Sequence, residues 1–272
     1  MNGYRFTWRH HPAGLIDGST LRPDLLGNLP PEEVGRRPLR IGRATWGLGD
    51  VFQIDGGPGP RLILPGSPRY IDLGAGMAAG ELLVEGHGGL ACGRAMSGGM
   101  LRVEGSVGHG LGCGLRGGRI VVTGDAGDLI GGPAPETRHG MQDGEIVVLG
   151  RAGERIGHRM RRGLIVVGET GRYPGHQMLA GTIVVQAGPL CNPGVAMVRG
   201  TLITLDANAH HEWQPLFQYD CTFRPVILKI LLGHLQTLGI DLPAGSRHGR
   251  FELWSGDRLA TNKGEIFRLV GP

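Results

Sequence analysis

The sequence predicts an all-β fold: a right-handed parallel β-helix of about seven to eight coils, with short capping segments at both ends and one C-terminal helix. Three observations carry this. The 272 residues include 52 glycines, about 19 % against an average near 7 %. The glycines at one repeat position, Gly80, Gly99, Gly118, Gly144, Gly163, Gly181 and Gly200, recur at intervals of 18 or 19 residues, with one interval of 26. Every interval opens on the same short strand pattern and closes on the same turn. Collagen is excluded because no Gly-X-Y triplet runs through the chain. A helical protein is excluded because each helical glycine costs about 1 kcal/mol. An apolar fraction of 40 % argues against a disordered, low-complexity chain.

Residues 1–57 form an N-terminal capping segment. Within it "PPEEVGRRPLRIG" reads as a turn or short helix, and "GDVFQIDGGP" as a strand ending in a tight turn. Residues 58–206 hold the repeats, from "RLILPGSPRYIDLGAGMAAG" to "TIVVQAGPLCNPGVAMVRG", with "TLITLDA" opening an eighth. Each begins with a strand rich in β-branched residues. Each ends in G-x-x-M-x-x-G, and six of the eight methionines fall on that one position, so they should stack as an internal column. They are Met77, Met96, Met141, Met160, Met178 and Met197, with Leu115 substituting once. The long interval carries roughly seven extra residues near Gly132 to Arg138.

A left-handed hexapeptide helix also has about 18 residues per coil. It needs an aliphatic residue at every sixth position, and "GRYPGHQM" and "GERIGHRM" break that rhythm. Residues 207–272 read as a C-terminal helix and a two-stranded cap. The helix, "RPVILKILLGHLQTLGI", starts at Pro225 and offers Val226, Ile227, Ile230, Leu231, Leu235 and Leu238 as a cover. "RFELWSGDRLATNKGEIFRLV" supplies the two strands.

Strand residues alternate faces. Pairs such as Leu82/Val84, Ile120/Val122 and Ile165/Val167 form one core face. The intervening position should point outward, yet it reads Ile63, Leu83, Arg102, Val121, Val147, Val166, Val184 and Ile203. Strands buried on both faces look like this. The stripe is therefore either an interface for a partner or the seat of the chain's own helix; Ile63, Leu83, Val121, Val147, Val166, Val184 and Ile203 are its apolar members.

The net charge is +4 and the cations are almost all arginine, Lys229 and Lys263 being the two lysines. No basic run suggests a nucleic-acid arm, and with 5 % aromatics a base-stacking surface is poorly supported. The N-terminus lacks the apolar core of a signal peptide, and no apolar run approaches the ~20 residues a membrane helix needs. Cys92, Cys113, Cys191 and Cys221 contain no Cys-x-x-Cys pair. A cytoplasmic chain with reduced thiols is expected.

No catalytic constellation is visible, and neither a metal nor a cofactor site is expected on this chain. His158 and His176 each follow the glycine of a G-x-x-M unit and should stack in adjacent coils. With no carboxylate or cysteine in phase they read as turn residues rather than metal ligands. Cys92 and Cys113 read as small buried residues. His210 and His211 sit at the end of the repeats, where they would orient polar groups. Asp257 and Glu265 flank "GDRLATNKGE" without pairing as acid and base.

The serial G-x-x-M-x-x-G units, the flank "PPEEVGRRPLRIG" … "GLGDVFQIDG" and the closing "GDRLATNKGEI" resemble the C subunit of formylmethanofuran dehydrogenase and of the formyltransferase/hydrolase complex. The units are also similar to the C-terminal β-helix domain of the glutamate synthase large subunit. The resemblance covers about residues 15–270 and implies a non-catalytic scaffold in a multisubunit one-carbon enzyme. In the hydrolytic version, a formyl group passes from tetrahydromethanopterin to a methanofuran-type carrier and is hydrolysed to formate. The implied partners are an amidohydrolase-like A, a molybdopterin-enzyme-like B and a formyltransferase-like D subunit. The arginine bias favours this version over the molybdenum or tungsten dehydrogenase that reduces CO2. Carriers of this family have glutamate-bearing tails. That makes a polyanion-guiding edge of Arg159, Arg161 and Arg162, amid Arg94, Arg116, Arg138, Arg151 and Arg155, one reading of these turns. Solvated turns are the other. The competing classes are a glutamate-synthase-type structural domain and a hexapeptide acyltransferase, which would be a homotrimer.

Overall fold

The computed structural model describes residues 2–208, 213 and 215–271; His210 and His211 lie outside the described residues. Its strands are β1 (Gly3–Trp8), β2 (Ile16–Asp17), β3 (Pro38–Ile41), β4 (Ala44–Gly47), β5 (Phe52–Gly56), β6 (Arg61–Pro65), β7 (Tyr70–Ile71) and β8 (Glu81–Glu85). They continue as β9 (Met100–Val103), β10 (Arg119–Val122), β11 (Glu145–Ala152), β12 (Leu164–Thr170), β13 (Thr182–Val185), β14 (Gly200–Thr204), β15 (Gln218–Phe223), β16 (Arg250–Gly256) and β17 (Gly264–Gly271). The helices are α1 (Pro23–Leu26), α2 (Pro31–Arg36), α3 (Leu48–Val51) and α4 (Val226–Thr237).

The chain is mostly β and is built on one 13-stranded sheet. The sheet is mixed. Its repeat strands β6, β8, β9, β10, β11, β12, β13 and β14 pair in parallel, in chain order, with β1 and β17 joining the two ends in parallel as well. Outside them, β5, β16 and β15 pair antiparallel. A second, four-stranded sheet runs β4-β3-β2-β7.

The repeats pair in register, so one repeat position faces the same position in the next. Leu82 faces Leu101, which faces Ile120, Ile146, Ile165, Ile183 and Leu202 in turn. The turns follow suit, with parallel bridges Ile71–Leu90, Gly89–Val107, Val107–Ala126 and Ala126–Ala152. The six repeat methionines and Leu115 are fully buried in the main core. Each turn bends tightly against the one before it. A Cβ on Gly89 would collide with the Tyr70 carbonyl, and φ there is +76°. A Cβ on Gly163 would lie 2.5 Å from the Met141 methyl at a φ of +99°.

The ends are tied in by elements the sequence only partly announced. "PPEEVG" forms α2, with Pro31 at its first position and Val34 buried. Tyr4 and Phe6 of β1 are buried, with Phe6 edge-on to Phe52 at 5.6 Å. At the other end Asp257 is buried and accepts hydrogen bonds from the backbone N–H groups of Ala196 (2.9 Å) and Leu259 (2.8 Å). It thereby fastens the β16–β17 loop to the last repeat turn, a structural use of "GDRLATNKGE".

A second core lies outside the sheet. Leu228, Leu232 and Leu235 of α4 pack with Val147, Val166, Val184, Ile203 and Phe267. The inward face of the helix is thus set by Leu228, Leu232 and Leu235. Val226, Ile227 and Ile230, expected to serve as cover, point to solvent at 72 %, 64 % and 64 % exposure. The correction is one of helical phase: positions i, i+4 and i+7 meet the sheet, and the N-terminal isoleucines fall on the other side.

Candidate functional site

In the two turns that carry Arg155–Met160 and Tyr173–Met178, every second residue is left-handed. Arg155, Gly157 and Arg159 have φ of 55°, 65° and 53°; Tyr173, Gly175 and Gln177 have 62°, 71° and 53°. Along the first turn, Ile156 and Met160 are fully buried while Arg155 is exposed and Arg159 half-buried. His158 stacks on His176 of the next repeat, with centroids 5.0 Å apart and planes 18° from parallel. The His158 Nδ1 lies 3.1 Å from both the His176 carbonyl and the His176 Nδ1. A carbonyl can only accept, so the proton sits on the His158 Nδ1 and the His176 Nδ1 accepts.

Burial lowers the His158 pKa below its ordinary value, helped by Arg159 and Arg155 and opposed by the hydrogen bond to the His176 carbonyl. Burial also lowers that of His176, with His158 and Arg155 adding to it. At neutral pH both rings are therefore uncharged, and the arginines carry the charge of this edge. Arg161 and Arg162 are exposed beside them, and the Arg172 guanidinium lies 5.6 Å from the centre of the Tyr173 ring. Among the described residues no carboxylate pairs with Arg155, Arg159, Arg161 or Arg162. Several unpaired guanidinium groups gathered on one turn attract a group of carboxylates more than a single one.

Other predicted members divide differently. Arg94 is held by both oxygens of Asp72 (2.7 and 3.1 Å) and by Glu136 at 3.0 Å. Arg151 pairs with Glu169 at 3.1 Å. Arg116 and Arg138 are exposed. Arg172 and Tyr173 were not singled out from the sequence. Their signal is the register: "GRYPGHQM" aligns Tyr173 with Arg155 and His176 with His158.

Cys92, Cys113, His87 and His109 do structural work, while Cys191 and Cys221 are exposed. Burial, with the Asp72 charge second, pushes the Cys92 thiol up to about 12, and its Sγ lies 2.8 Å from the Gly88 carbonyl. Burial likewise raises Cys113 to about 11. A thiol held protonated is a poor nucleophile. The Nδ1 atoms of His87 and His109 accept from the backbone of Ser106 and Asp128, one repeat on. Among the described residues no group of three or more His, Cys, Asp or Glu is placed to hold a metal ion.

The outer strand stripe forms a continuous column: Arg5, Ile63, Leu83, Arg102, Val121, Val147, Val166, Val184, Ile203 and Phe267 face one another in register. Helix α4 seats on the part from Val147 to Ile203, and Val121 packs at its margin, partly buried. Val147, Val166, Val184 and Ile203 are thus filled by this chain and offer no open surface to another, whereas Val121 is covered only in part. Ile63 and Leu83 lie beyond the helix at 7 % exposure each, between Arg5, which pairs with Glu85, and Arg102 beside Glu104. The helix is pinned by His234, whose Nε2 meets Glu145 Oε1 at 2.7 Å, while Arg119 holds the other oxygen at 2.7 Å. Burial works against the Glu145 carboxylate, but the hydrogen bonds and charges of His234 and Arg119 outweigh it and lower its pKa. Beside this pin an open groove of about 650 Å³ runs along Gly99, Gly118, Gly144 and Gly163.

Fold and site together define a glycine-rich repeat protein on a large sheet, with an arginine edge on its turns. No family model matches the chain, and no curated protein matches it. A solved structure does: the formyltransferase/hydrolase complex (FhcABCD) from Methylorubrum extorquens in complex with methylofuran. One of its chains is similar to this one at 35 % identity and a TM-score of 0.87, over 97 % of this chain and 99 % of that one. The chain belongs to the family of that formyltransferase/hydrolase complex chain.

Proposed function

We propose that this chain is the scaffold of a formyltransferase/hydrolase complex, its C subunit. The observation that carries the reading is the likeness in sequence and shape, over nearly the full length of both chains, to a chain of such a complex. The absence of an acid–base or nucleophilic constellation in the sequence is compatible with chemistry performed on other chains. In this reading the repeats form a right-handed parallel β-helix, kin to the C-terminal domain of the glutamate synthase large subunit. Residues 1–57 and 207–272 cap it and 58–206 make its coils. The in-register ladder and the bridged turns support that architecture.

The partners are amidohydrolase-like, molybdopterin-enzyme-like and formyltransferase-like subunits, and the assembly works in the cytoplasm. It takes formyl groups from tetrahydromethanopterin to a methanofuran-type carrier and on to formate. Arg159, Arg161 and Arg162 line an edge that guides the glutamate-bearing tail of the carrier, for which their unpaired charge is the support. Ile63 and Leu83, beyond the reach of α4, and the partly covered Val121 remain the partner-facing part of the stripe.

Native mass spectrometry of the tagged chain purified from its own host tests the assignment. Co-purification of an amidohydrolase and a formyltransferase is the expected result, and a homotrimer with no other chain removes it. For the edge, Arg159→Glu with Arg161→Glu and Arg162→Glu should weaken carrier binding and flatten its salt dependence. An unchanged affinity and salt slope would discard the guiding role.

A further inference from the structure

Over its first two turns helix α4 carries apolar residues on both sides with Lys229 between them, while its last turns expose His234, Gln236 and Thr237. Its inner side, Leu228, Leu232 and Leu235, is buried on the sheet, while its outer side presents Val226, Ile227 and Ile230 to solvent. A surface helix normally turns polar residues outward, and an apolar patch of this kind on the outer side of its first two turns marks a surface that another group covers. The flank of this outer face is cationic. A recess of about 420 Å³ opens between the first turn of α4 and the segment before β16, lined by Arg224, Val226, Lys229, Arg247, His248 and Phe251 among others. No acidic residue lines it, and the first turn of α4 carries none. Arg247 lies flat against the helix at Gly233, where a Cβ would come 3.2–3.4 Å from its guanidinium. Glycine thus lets the charge lie beside the apolar strip.

We infer that the outer face of α4 and this recess are the docking site for an acidic segment of another protein chain. Aliphatic or aromatic side chains of that segment cover Val226, Ile227 and Ile230, and its carboxylates meet Arg224, Lys229 and Arg247. Charge complementarity selects this occupant. A second copy would bring the same cations against themselves across a two-fold axis, in a chain already at +4. A lone small anion would leave the isoleucines bare. A membrane would meet them as a wedge, but a concave recess beside the helix suits an inserted side chain better than a lipid surface. The inference rests on the proposed assembly only in requiring a partner chain.

The test places a photo-reactive benzoyl-phenylalanine at Ile227 in the full-length chain, in its own host, and maps the cross-linked peptide in the purified assembly. A cross-link to a segment of a different chain rich in Asp or Glu is the expected result. A cross-link to a second copy, to lipid or to a segment without carboxylates, or none in an intact assembly, overturns the inference and leaves the assembly standing. A chain that purifies alone overturns both. In parallel, Lys229→Glu with Arg247→Glu should lower the assembled fraction at least about tenfold near physiological salt. Ile230→Gln, at an exposed site, should lower it too while keeping the melting temperature of the isolated chain. Full retention by both variants counts against the site.

Discussion

Two positions of the same turn follow opposite rules. Inward, the sequence repeats itself: Met77, Met96, Met141, Met160, Met178 and Met197 occupy one column and all are buried. The position after the glycine that opens each G-x-x-M unit instead varies: Ala75, Cys113 and Gly132 are small and buried there, while Arg94, His158, His176 and Val195 are half-buried and reach toward the surface. Stacking makes each inward residue the neighbour of its own equivalents, so one solution to the packing problem serves every turn. The residues of the variable column share only a backbone and are free to specialise. Repetition therefore marks the core, and the place where the variable column stops being small marks where one turn differs from the next.

The comparison breaks most readily from the inside. Met160→Ala removes a rung of the thioether column and should cost about 2–5 kcal/mol, read as a lower urea midpoint. A loss under about 1 kcal/mol would mean that the column packs loosely. On α4 the two sides should separate clearly: Leu232→Ala is expected to cost about 2–3 kcal/mol, and Ile227→Ala less than about 0.5 kcal/mol in the isolated chain.

Next comes the histidine pair. Both pKa values are depressed in the folded chain, so the neutral rings contribute stability above the ordinary imidazole value of 6.5. That contribution is lost as the pH falls through the folded values, because the unfolded chain takes up protons first. His158→Gln should flatten the thermal-stability curve between pH 7 and 5, and a slope unchanged by the substitution would remove the pair from the account. Glu145 and Asp17, whose pKa values are lowered, act only in a more acidic window. The smallest effect belongs to the outermost residues: Arg159→Glu, Arg161→Glu and Arg162→Glu should each leave stability within about 0.5 kcal/mol, measured by thermal melting.

What was legible in the sequence follows the same division. Period, strand position and the buried methionines could be read directly, because in-register stacking turns a three-dimensional neighbour into a sequence interval. The stack of His158 on His176 was readable for that reason. The side of α4 that faces the sheet was not, since the apolar residues of its first two turns run round the helix and give no phase, and Leu228 and Leu232 took the place expected for Ile227 and Ile230. The strand β15 and the pairing of β1 with β6 were missed because neither belongs to the period. The neutralised state of Arg94 depends on Asp72, 22 residues away, and on Glu136 in the long interval, which no local motif announces.

The in-register ladder also makes distance along the stack discrete. Neighbouring strands sit about 4.8 Å apart, and His158 to His176, one repeat on, measures 5.0 Å between ring centres. Two groups carried in one column are therefore separated by whole multiples of that step. Adding or removing a repeat would shift everything beyond it by one graduation and leave the spacing on either side unchanged. A surface that engages several turns at once must be cut to the same gauge, and lengthening the intervening turn, as between Gly118 and Gly144, changes the profile of the edge without changing its scale.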